Sequence, residues 1–272
     1  MIETLFDKHR LEGAPNFRDL GGLPTADGRR IKPRRLLRSG HLAYITSEDA
    51  AKLLDDYDLK TVVDMRTENE MNRRPDMVLS GVDYLRCPIF EQKAEGVTRE
   101  EAVPNDPVSS ALRMAHNMEG YDPHERMIGL YGVFFEEEGI RHYTEFFNTL
   151  LTQEAGSVLW HCTMGKDRCG TGAVLVETAL GVPEELVLAD YLYTNDRLNP
   201  VTAETIRQAM LIEHDPRLME IIRVMDGVHP DYIGVLYAKA EDMCGSLLGF
   251  IQEKLGMTDE KLAKLRDLYL EP

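Results

Sequence analysis

The sequence predicts an α/β fold, in which a mostly parallel central sheet is flanked by helices. Two observations indicate this class. Short apolar runs typical of buried strands alternate with longer amphipathic stretches typical of helices, and from Pro183 onward the helical pattern continues almost to the C-terminus. No linker or internal repeat interrupts the chain, so residues 1–272 are expected to form one domain.

The first predicted elements are a turn and a helix. Asp27-Gly28 is a hairpin-turn signal that follows Pro24 and precedes Ile31. Ser47-Glu48-Asp49 places a hydroxyl and two acids where a helix N-terminus needs them, which predicts a helix as far as Leu54.

The next elements follow from apolar patterning. Apolar runs predict three strands and one intervening helix: strands Leu59–Met65 and Asp83–Cys87, helix Ile140–Leu151, and a strand over 157–160. In a parallel sheet of this kind, the functional site is expected at the carboxyl ends of the strands.

A basic segment precedes these elements. Six cations lie between positions 29 and 38, namely Arg29, Arg30, Lys32, Arg34, Arg35 and Arg38. One interpretation is a solvated edge strand that its charges protect from pairing. The other is a basic rim that attracts anionic substrates to an otherwise acidic protein. We expect a mixture, in which some of these arginines are structural and others lie at the mouth of the site.

Two further segments stand out. Residues 92–121 are polar and contain the breaker Pro104-Asn105-Asp106-Pro107, which predicts a long mobile connection. Residues 200–228 carry apolar residues at helical spacing, which predicts amphipathic helices.

Composition excludes several classes of protein. The net charge of −16 argues against nucleic-acid binding, and no apolar run approaches the length of a membrane span. The N-terminus has no apolar core of a signal peptide, and the four cysteines lack metal-ligand spacing. We therefore expect neither metal nor cofactor, and a chain that is cytoplasmic or exported without a conventional signal peptide.

The most informative segment is the run from His161 to Arg168. An apolar strand leads into it, and Gly170-Thr171-Gly172 opens a helical pattern after it. A loop whose backbone N–H groups end in a helix N-terminus is an anion site, and the same field favours a thiolate at Cys162. Arg168 supplies a planar fork for two phosphate oxygens. The segment indicates a cysteine phosphatase.

The spacing of cysteine and arginine is weak by itself, so its context matters. The other three cysteines have Lys93, Leu175 and Phe250 six positions later, where Cys162 has Arg168. A Walker nucleotide loop is excluded, because Trp160 stands where it needs glycine and Asp167 where it needs serine or threonine.

Several motifs together resemble one family. The segment HCTMGKDRCGTG at 161–172 is similar to the HCxxGKDRTG signature of the bacterial atypical tyrosine phosphatases of the protein tyrosine phosphatase B type. Further segments match the same family along most of the chain: 16–22 (NFRDLGG), 37–40 (LRSG), 62–66 (VVDMR) with Glu70, and 189–192 (ADYL) with Asn195 and Asp196.

The resemblance implies a fold, a mechanism and site residues. It implies the cysteine phosphatase fold, with a helical lid at about 200–228 over the active site. Cys162 is then the nucleophile of a thiophosphoryl intermediate and Arg168 holds the phosphate. The remaining loop residues, Thr163, Met164, Gly165 and Lys166, bind substrate.

The general acid is less certain from sequence alone. The single tryptophan, Trp160, precedes His161, so the chain has no Trp-Pro-Asp loop to supply the acid. The resemblance implies Asp167, with Asp64 and Asp19 as alternatives. Asp167 could instead only steady its cationic neighbours. Arg66 and His161 are further candidate site residues because they lie in the matching motifs.

The expected substrates are phosphorylated proteins or phosphoinositides. Lys166 resembles the lysine of loops that act on inositol phosphates, and its ammonium could meet neighbouring ring phosphates. We therefore expect activity on phosphotyrosine, with some on phosphoserine, phosphothreonine and phosphoinositides.

Cys169 departs from the family pattern, which has threonine there. A thiol is a weaker donor than a hydroxyl to the Cys162 sulfur, so turnover could be lost and the chain could be a phosphate-binding pseudophosphatase. Cys169 could alternatively protect Cys162 as a disulfide. A third hypothesis is a sulfur-transfer or arsenate-reductase protein, which also uses a cysteine in an anion loop.

Overall fold

Five strands form one mixed sheet in the computed structural model, which describes residues 10–90 and 107–272. The strands lie in the order β1-β2-β5-β3-β4, and each neighbouring pair is parallel except β1 with β2. The strands are β1 (Arg18–Asp19), β2 (Leu36–Ser39), β3 (Leu59–Asp64), β4 (Asp83–Arg86) and β5 (Ser157–His161). The predicted α/β class with a mostly parallel sheet is confirmed.

Eleven α-helices are found in the described ranges. They are α1 (Ser47–Ala51), which continues as a π-helical turn over Lys52–Asp56, α2 (Glu68–Arg73), α3 (Pro107–Asn117), α4 (Pro123–Val133), α5 (Glu137–Thr152), α6 (Asp167–Leu180), α7 (Glu184–Ile212), α8 (Pro216–Asp226), α9 (Pro230–Cys244), α10 (Leu247–Glu253) and α11 (Asp259–Tyr269). None of these helices has the length and continuous apolar surface that crossing a membrane requires.

The strands bury both faces, as parallel strands between helices do. In β5, Val158 and Trp160 pack into the larger apolar cluster, which includes most of the helices, while Leu159 packs into the smaller cluster beside α1. The registers Ser39↔His161 and Asp64↔His161 align the carboxyl ends of β2, β5 and β3. This alignment places the segment after His161 at the edge where the site was expected.

Most local predictions are confirmed to within a few residues. The predicted turn is present, with Gly28 at φ +90° and the Thr25 amide bound to the Arg29 carbonyl at 2.9 Å. The first helix begins at Ser47 as predicted, but the hydroxyl that caps it comes from the preceding residue. Thr46 is the N-cap, and its side chain and that of Asp49 form a capping box.

The edge-strand interpretation of the basic segment is wrong. Only Leu36–Ser39 forms a strand, and this strand lies inside the sheet between β1 and β5 with all four residues buried. Two of the cations before it bind the backbone of distant segments: Lys32 donates to the Asp267 carbonyl and Arg35 to the Gln153 carbonyl, both at 2.8 Å. Arg38 is completely buried, so it is not part of a rim either.

The predicted long connection is also partly wrong. Residues 91–106 lie outside the described residues, but 107–117 form α3, whose Met114 is buried in the larger cluster. The helices predicted between 200 and 228 are the last part of α7 and the whole of α8.

Candidate active site

The loop from Cys162 to Lys166 connects β5 to α6 and lies against the end of β2. Gly165 has φ +67°, and a Cβ at this position would lie 2.5 Å from the carbonyl carbon of Ser39. Gly40 is equally constrained, because its Cβ would lie 3.0 Å from the carbonyl oxygen of Thr163. Glycine at both positions therefore allows the loop to close tightly on the sheet.

The carbonyl groups of this loop point outward. The Thr163 carbonyl accepts from the His41 amide at 3.2 Å, and the Gly165 carbonyl accepts from Asn16 Nδ2 at 2.8 Å and Arg38 Nη2 at 3.0 Å. Because N–H and C=O groups point in opposite directions along a trans peptide, the amides turn to the inside of the loop. Together with the N-terminus of α6, they form a cradle for an anion.

A buried ionic group supports the loop from below. Asp190 on α7 binds Arg18 Nε at 2.7 Å and Arg38 Nη1 at 2.5 Å, and the three side chains are nearly inaccessible. Burial opposes ionisation of Asp190, but the two guanidinium groups still hold its pKa below the ordinary value. Burial and the Asp190 charge raise the pKa of the adjacent Glu177 well above its ordinary value.

Glu70 on α2 holds the guanidinium of Arg168. Arg168 Nη1 and Nη2 bind the two carboxylate oxygens at 2.6 and 2.7 Å, and the Thr163 hydroxyl donates to the same carboxylate. Burial would raise the pKa of Glu70, but Arg168 and these hydrogen bonds lower it to about 2. The ring of Phe90 lies 5.0 Å from the guanidinium carbon. The plane of the fork is thereby fixed at the loop.

Two tyrosines position Asp167 at the start of α6. The Tyr131 hydroxyl donates to Asp167 Oδ1 at 2.8 Å, and the Tyr191 hydroxyl donates to Tyr131 at 2.7 Å. Both tyrosines are completely buried, so this chain of hydrogen bonds is shielded from water. Oδ1 is thus held in place by this chain of hydrogen bonds.

The alternative carboxylates are engaged elsewhere. Asp19 accepts from the amides of Gly21 and Arg34 at 2.8 and 2.7 Å. Asp64 forms an ion pair with Arg66 at 2.7 Å. Neither carboxylate lines the cavity over the loop, and Arg66 likewise supports the sheet edge rather than the cavity.

Lys166 is directed at the end of α8. Its Nζ donates to the carbonyls of Met225 and Gly227 at 2.7 and 3.1 Å and lies 3.2 Å from Asp167 Oδ1. The side chain is almost completely buried. A cation at the C-terminus of a helix compensates its unsatisfied carbonyls, so Lys166 ties α8 to the loop in this conformation.

The Cys169 thiol binds the backbone of β5. Its Sγ donates to the Trp160 carbonyl at 3.5 Å. Burial raises its pKa to about 12, and although Arg38 opposes this shift the side chain remains a thiol at neutral pH. Cys162, Cys169 and the other two cysteines are all free thiols in the structure.

His161 lies behind the loop among carboxylates. Its Nδ1 is 3.2 Å from the Cys162 carbonyl, and its Nε2 is 3.1 Å from Asp76 Oδ2 and 3.8 Å from Asp64 Oδ1. Burial lowers the pKa of His161, but the two carboxylates outweigh burial and raise it. The ring therefore fixes the backbone that carries Cys162 and does not enter the cavity.

A cavity of about 60 Å³ lies over the loop. Cys162, Thr163, Met164, Lys166, Asp167 and Arg168 line its floor, and the apolar side chains around it are Phe90, Met114, Leu130 and Met225. An anion cradle beneath apolar walls suits a phosphate that is attached to an aromatic ring. A larger groove of about 490 Å³ lies between α6, α9 and α10, without a cysteine or arginine in its lining.

Sequence reasoning assigned no role to two residues of this site. Glu70 was visible at the N3 position of a Thr67-x-x-Glu70 capping box, but its partner Arg168 is 98 residues away in the chain. Tyr131 carries no local signal at all, because its contact with Asp167 depends on how α4 packs.

Comparison with known proteins gives one family. The model of the tyrosine phosphatase family matches residues 9–271. A Cupriavidus necator protein, named for the tyrosine-protein phosphatases, is 32% identical over 183 residues, which are 67% of this chain and 61% of that relative. This match thus spans less than two thirds of the relative's length.

Two further relatives match over nearly the whole chain. The triple specificity protein phosphatase PtpB of Mycobacterium tuberculosis is 28% identical, with 96% of this chain and 98% of the relative aligned. A tyrosine-protein phosphatase of Nostoc commune is 23% identical, with 94% of this chain and 80% of that relative aligned.

Proposed function

We propose, from the premise that this chain belongs to the tyrosine phosphatase family, that it hydrolyses phosphate monoesters with Cys162 as the nucleophile. The observation that carries the mechanism is the position of Cys162. Its sulfur is at the start of a loop whose amides face inward, beside the guanidinium that Glu70 fixes. Amides and a helix N-terminus favour a thiolate there.

The reaction proceeds in two displacements. The thiolate attacks phosphorus, the S–P bond forms, and the bond to the leaving oxygen breaks as Asp167 gives that oxygen a proton. Water then attacks the thiophosphoryl group as Asp167 takes a proton from it; the new O–P bond forms, the S–P bond breaks to return the Cys162 thiolate, and inorganic phosphate leaves. The loop amides and Arg168 bind the equatorial oxygens in both steps.

Asp167→Asn tests the proposed acid. We expect kcat/KM for an alkyl phosphate to fall about 10²- to 10⁴-fold, the usual contribution of a general acid, and much less for p-nitrophenyl phosphate. Nitrophenolate leaves almost without protonation, whereas an alkoxide does not. Equal losses of kcat/KM on the two substrates would place the acid elsewhere, and Asp64→Asn is the variant to compare.

Tyr131→Phe tests how Asp167 is positioned. The substitution removes the hydrogen bond to Oδ1, and we expect kcat/KM for alkyl phosphates to fall roughly tenfold, the size of one such bond. The loss on p-nitrophenyl phosphate should be smaller. Tyr269→Phe is the matched control, because this buried tyrosine donates to the Leu150 carbonyl in another part of the fold. A loss equal on both substrates would indicate that Tyr131 only stabilises the fold.

Phosphotyrosine in proteins is the substrate that the site supports best. The apolar side chains around the cavity favour an aromatic ester, and one relative is named a triple specificity protein phosphatase, which supports additional substrate classes. The direct test compares phosphotyrosine, phosphoserine and phosphothreonine peptides with phosphoinositides at equal concentration. A preference for phosphoinositides over every peptide would overturn this assignment.

Lys166→Ala separates a substrate contact from a support of the fold. Because the ammonium binds the carbonyls at the end of α8, we expect kcat/KM to fall by a similar factor on a phosphotyrosine peptide and on a multiply phosphorylated inositide. If the ammonium instead binds a second ring phosphate, kcat/KM on the inositide should fall roughly five- to a hundredfold more than kcat/KM on the peptide. This is the effect expected for the loss of one charge-assisted hydrogen bond.

A pseudophosphatase is the alternative, because the Cys169 thiol donates its proton to the Trp160 carbonyl and not to the Cys162 sulfur. Single-turnover release of phosphate from p-nitrophenyl phosphate separates an enzyme from a module that only binds phosphate. Assays for rhodanese activity and thiol-dependent arsenate reduction test the sulfur-transfer and arsenate-reductase alternative, in which a cysteine relay needs a second reactive thiol. Cys169, with a pKa of about 12, is poorly suited to that role.

A further inference from the structure

Three clusters of side chains that commonly bind metals occur in the part of the chain that the structure describes. In the first, Asp64 and Asp76 both lie 2.7 Å from Arg66, whose guanidinium already supplies the positive charge. The second centres on Cys87, and burial raises the pKa of this thiol to about 12, which disfavours a thiolate ligand. The third cluster, His124, His229 and Asp231, has neither obstacle.

The third cluster joins two helix N-termini with related sequences. Asp122-Pro123-His124 opens α4, and His229-Pro230-Asp231 opens α9, with the order of histidine and aspartate reversed. In each helix the first residue of the triplet is the N-cap and the proline follows it. The two starts meet, so one histidine from each helix lies beside the same carboxylate.

The distances between ligand atoms fit a small tetrahedral ion. Asp231 Oδ2 lies 3.0 Å from His124 Nε2 and 3.2 Å from His229 Nδ1. Metal–ligand bonds of about 2.0–2.2 Å in a tetrahedron separate neighbouring ligand atoms by about 3.3 Å. All three atoms lie within 4.8 Å of one another, so small side-chain rotations are enough to place an ion between them.

We propose that His124, His229 and Asp231 bind Zn²⁺ and thereby join α4 to α9. Two imidazole nitrogens and one carboxylate oxygen are a ligand set that suits zinc rather than magnesium or calcium, and water completes the tetrahedron. The three side chains are partly exposed, so an ion has access from solvent. A metal at His229 Nδ1 would replace the weak hydrogen bond that this nitrogen accepts from the Asp231 amide at 3.3 Å.

A bound ion would stabilise helices that contribute to the active site. His124 and Asp231 are 107 residues apart in the chain, so the metal closes a long loop. Tyr232 on α9 packs against α4, with its ring centroid 5.1 Å from that of His124 and 5.5 Å from that of Tyr131. This inference does not depend on the phosphatase mechanism.

Calorimetric titration with zinc chloride tests the site after treatment of the protein with a chelator. The Cys162→Ser chain is used, so that the active-site thiol does not compete for zinc. We expect one Zn²⁺ per chain, and His124→Gln and His229→Asn should each weaken binding by roughly tenfold or more. Asparagine is chosen at position 229 because it keeps an N-cap at the start of α9.

His116→Gln is the matched control. His116 also lies in a partly exposed cluster, 3.2 Å from Glu119 and 2.9 Å from Glu213, and its loss should leave zinc binding unchanged. Thermal melting gives a second readout, since zinc should raise the Tm of the control variant and not that of His124→Gln or His229→Asn. Absence of binding at about 0.1 mM zinc, or binding that survives both substitutions, would overturn the proposal.

Discussion

Substitution of Cys162 by serine is expected to abolish turnover and to leave phosphate or vanadate binding measurable. The serine hydroxyl is a poor nucleophile without an adjacent base, whereas the cradle consists of backbone amides and Arg168, which the substitution does not touch. Initial rates with p-nitrophenyl phosphate and calorimetric binding of vanadate measure the two properties in one preparation.

Cys244→Ser is the matched control for this result, because Cys244 lies at the end of α9 and away from the cavity. Its rate should equal that of the unmodified chain. If Cys162→Ser retains activity under conditions where the control is normal, the nucleophile is another group and the proposed mechanism fails.

Arg168→Lys is expected to lower kcat/KM by roughly 10²- to 10³-fold, as the loss of a transition-state donor does. A lysine cannot present two parallel N–H groups to both Glu70 and a phosphate, so the charge remains and the geometry is lost. Steady-state kinetics on a phosphotyrosine peptide measure the effect, and circular dichroism checks the fold of the variant.

A control variant shows whether the fall in kcat/KM is specific to Arg168 or follows from replacing any arginine by lysine. Arg86→Lys serves as the control, because Arg86 is an exposed residue of β4 near Glu68. A loss of less than about threefold for Arg168→Lys, well under the effect of one charged hydrogen bond, would show that the fork does not bind the transition state.

The fold and the loop could be predicted because their signals are local. The strand, the loop with Gly165, and the helix that starts at Asp167 are contiguous, so their patterns could be recognised without knowing the rest of the chain. The motif at residues 16–22 could also be recognised, but its structural role could not be predicted. Asn16 and Arg38 bind the outward carbonyl of Gly165, and this depends on sheet order.

The remaining features depend on packing between distant segments. The charge pattern of residues 29–38 suggested an edge strand, since the sequence does not reveal that β1 covers the other side of β2. Lys166 was predicted to bind substrate, because nothing near it in sequence indicates that the Met225 carbonyl at the end of α8 lies 2.7 Å from its Nζ. The role of Glu70 needed the same kind of long-range information.

A trapped intermediate tests the central claim most directly. With p-nitrophenyl phosphate, Asp167→Asn should form the thiophosphoryl group readily and hydrolyse it slowly, because the departing nitrophenolate needs no acid while the attacking water needs a base. Rapid quenching followed by peptide mass spectrometry should then show one phosphoryl group on the peptide that contains Cys162, with a matching burst of nitrophenol. A burst with the phosphoryl group on a different residue, or steady turnover with no phosphorylated peptide, would contradict the account.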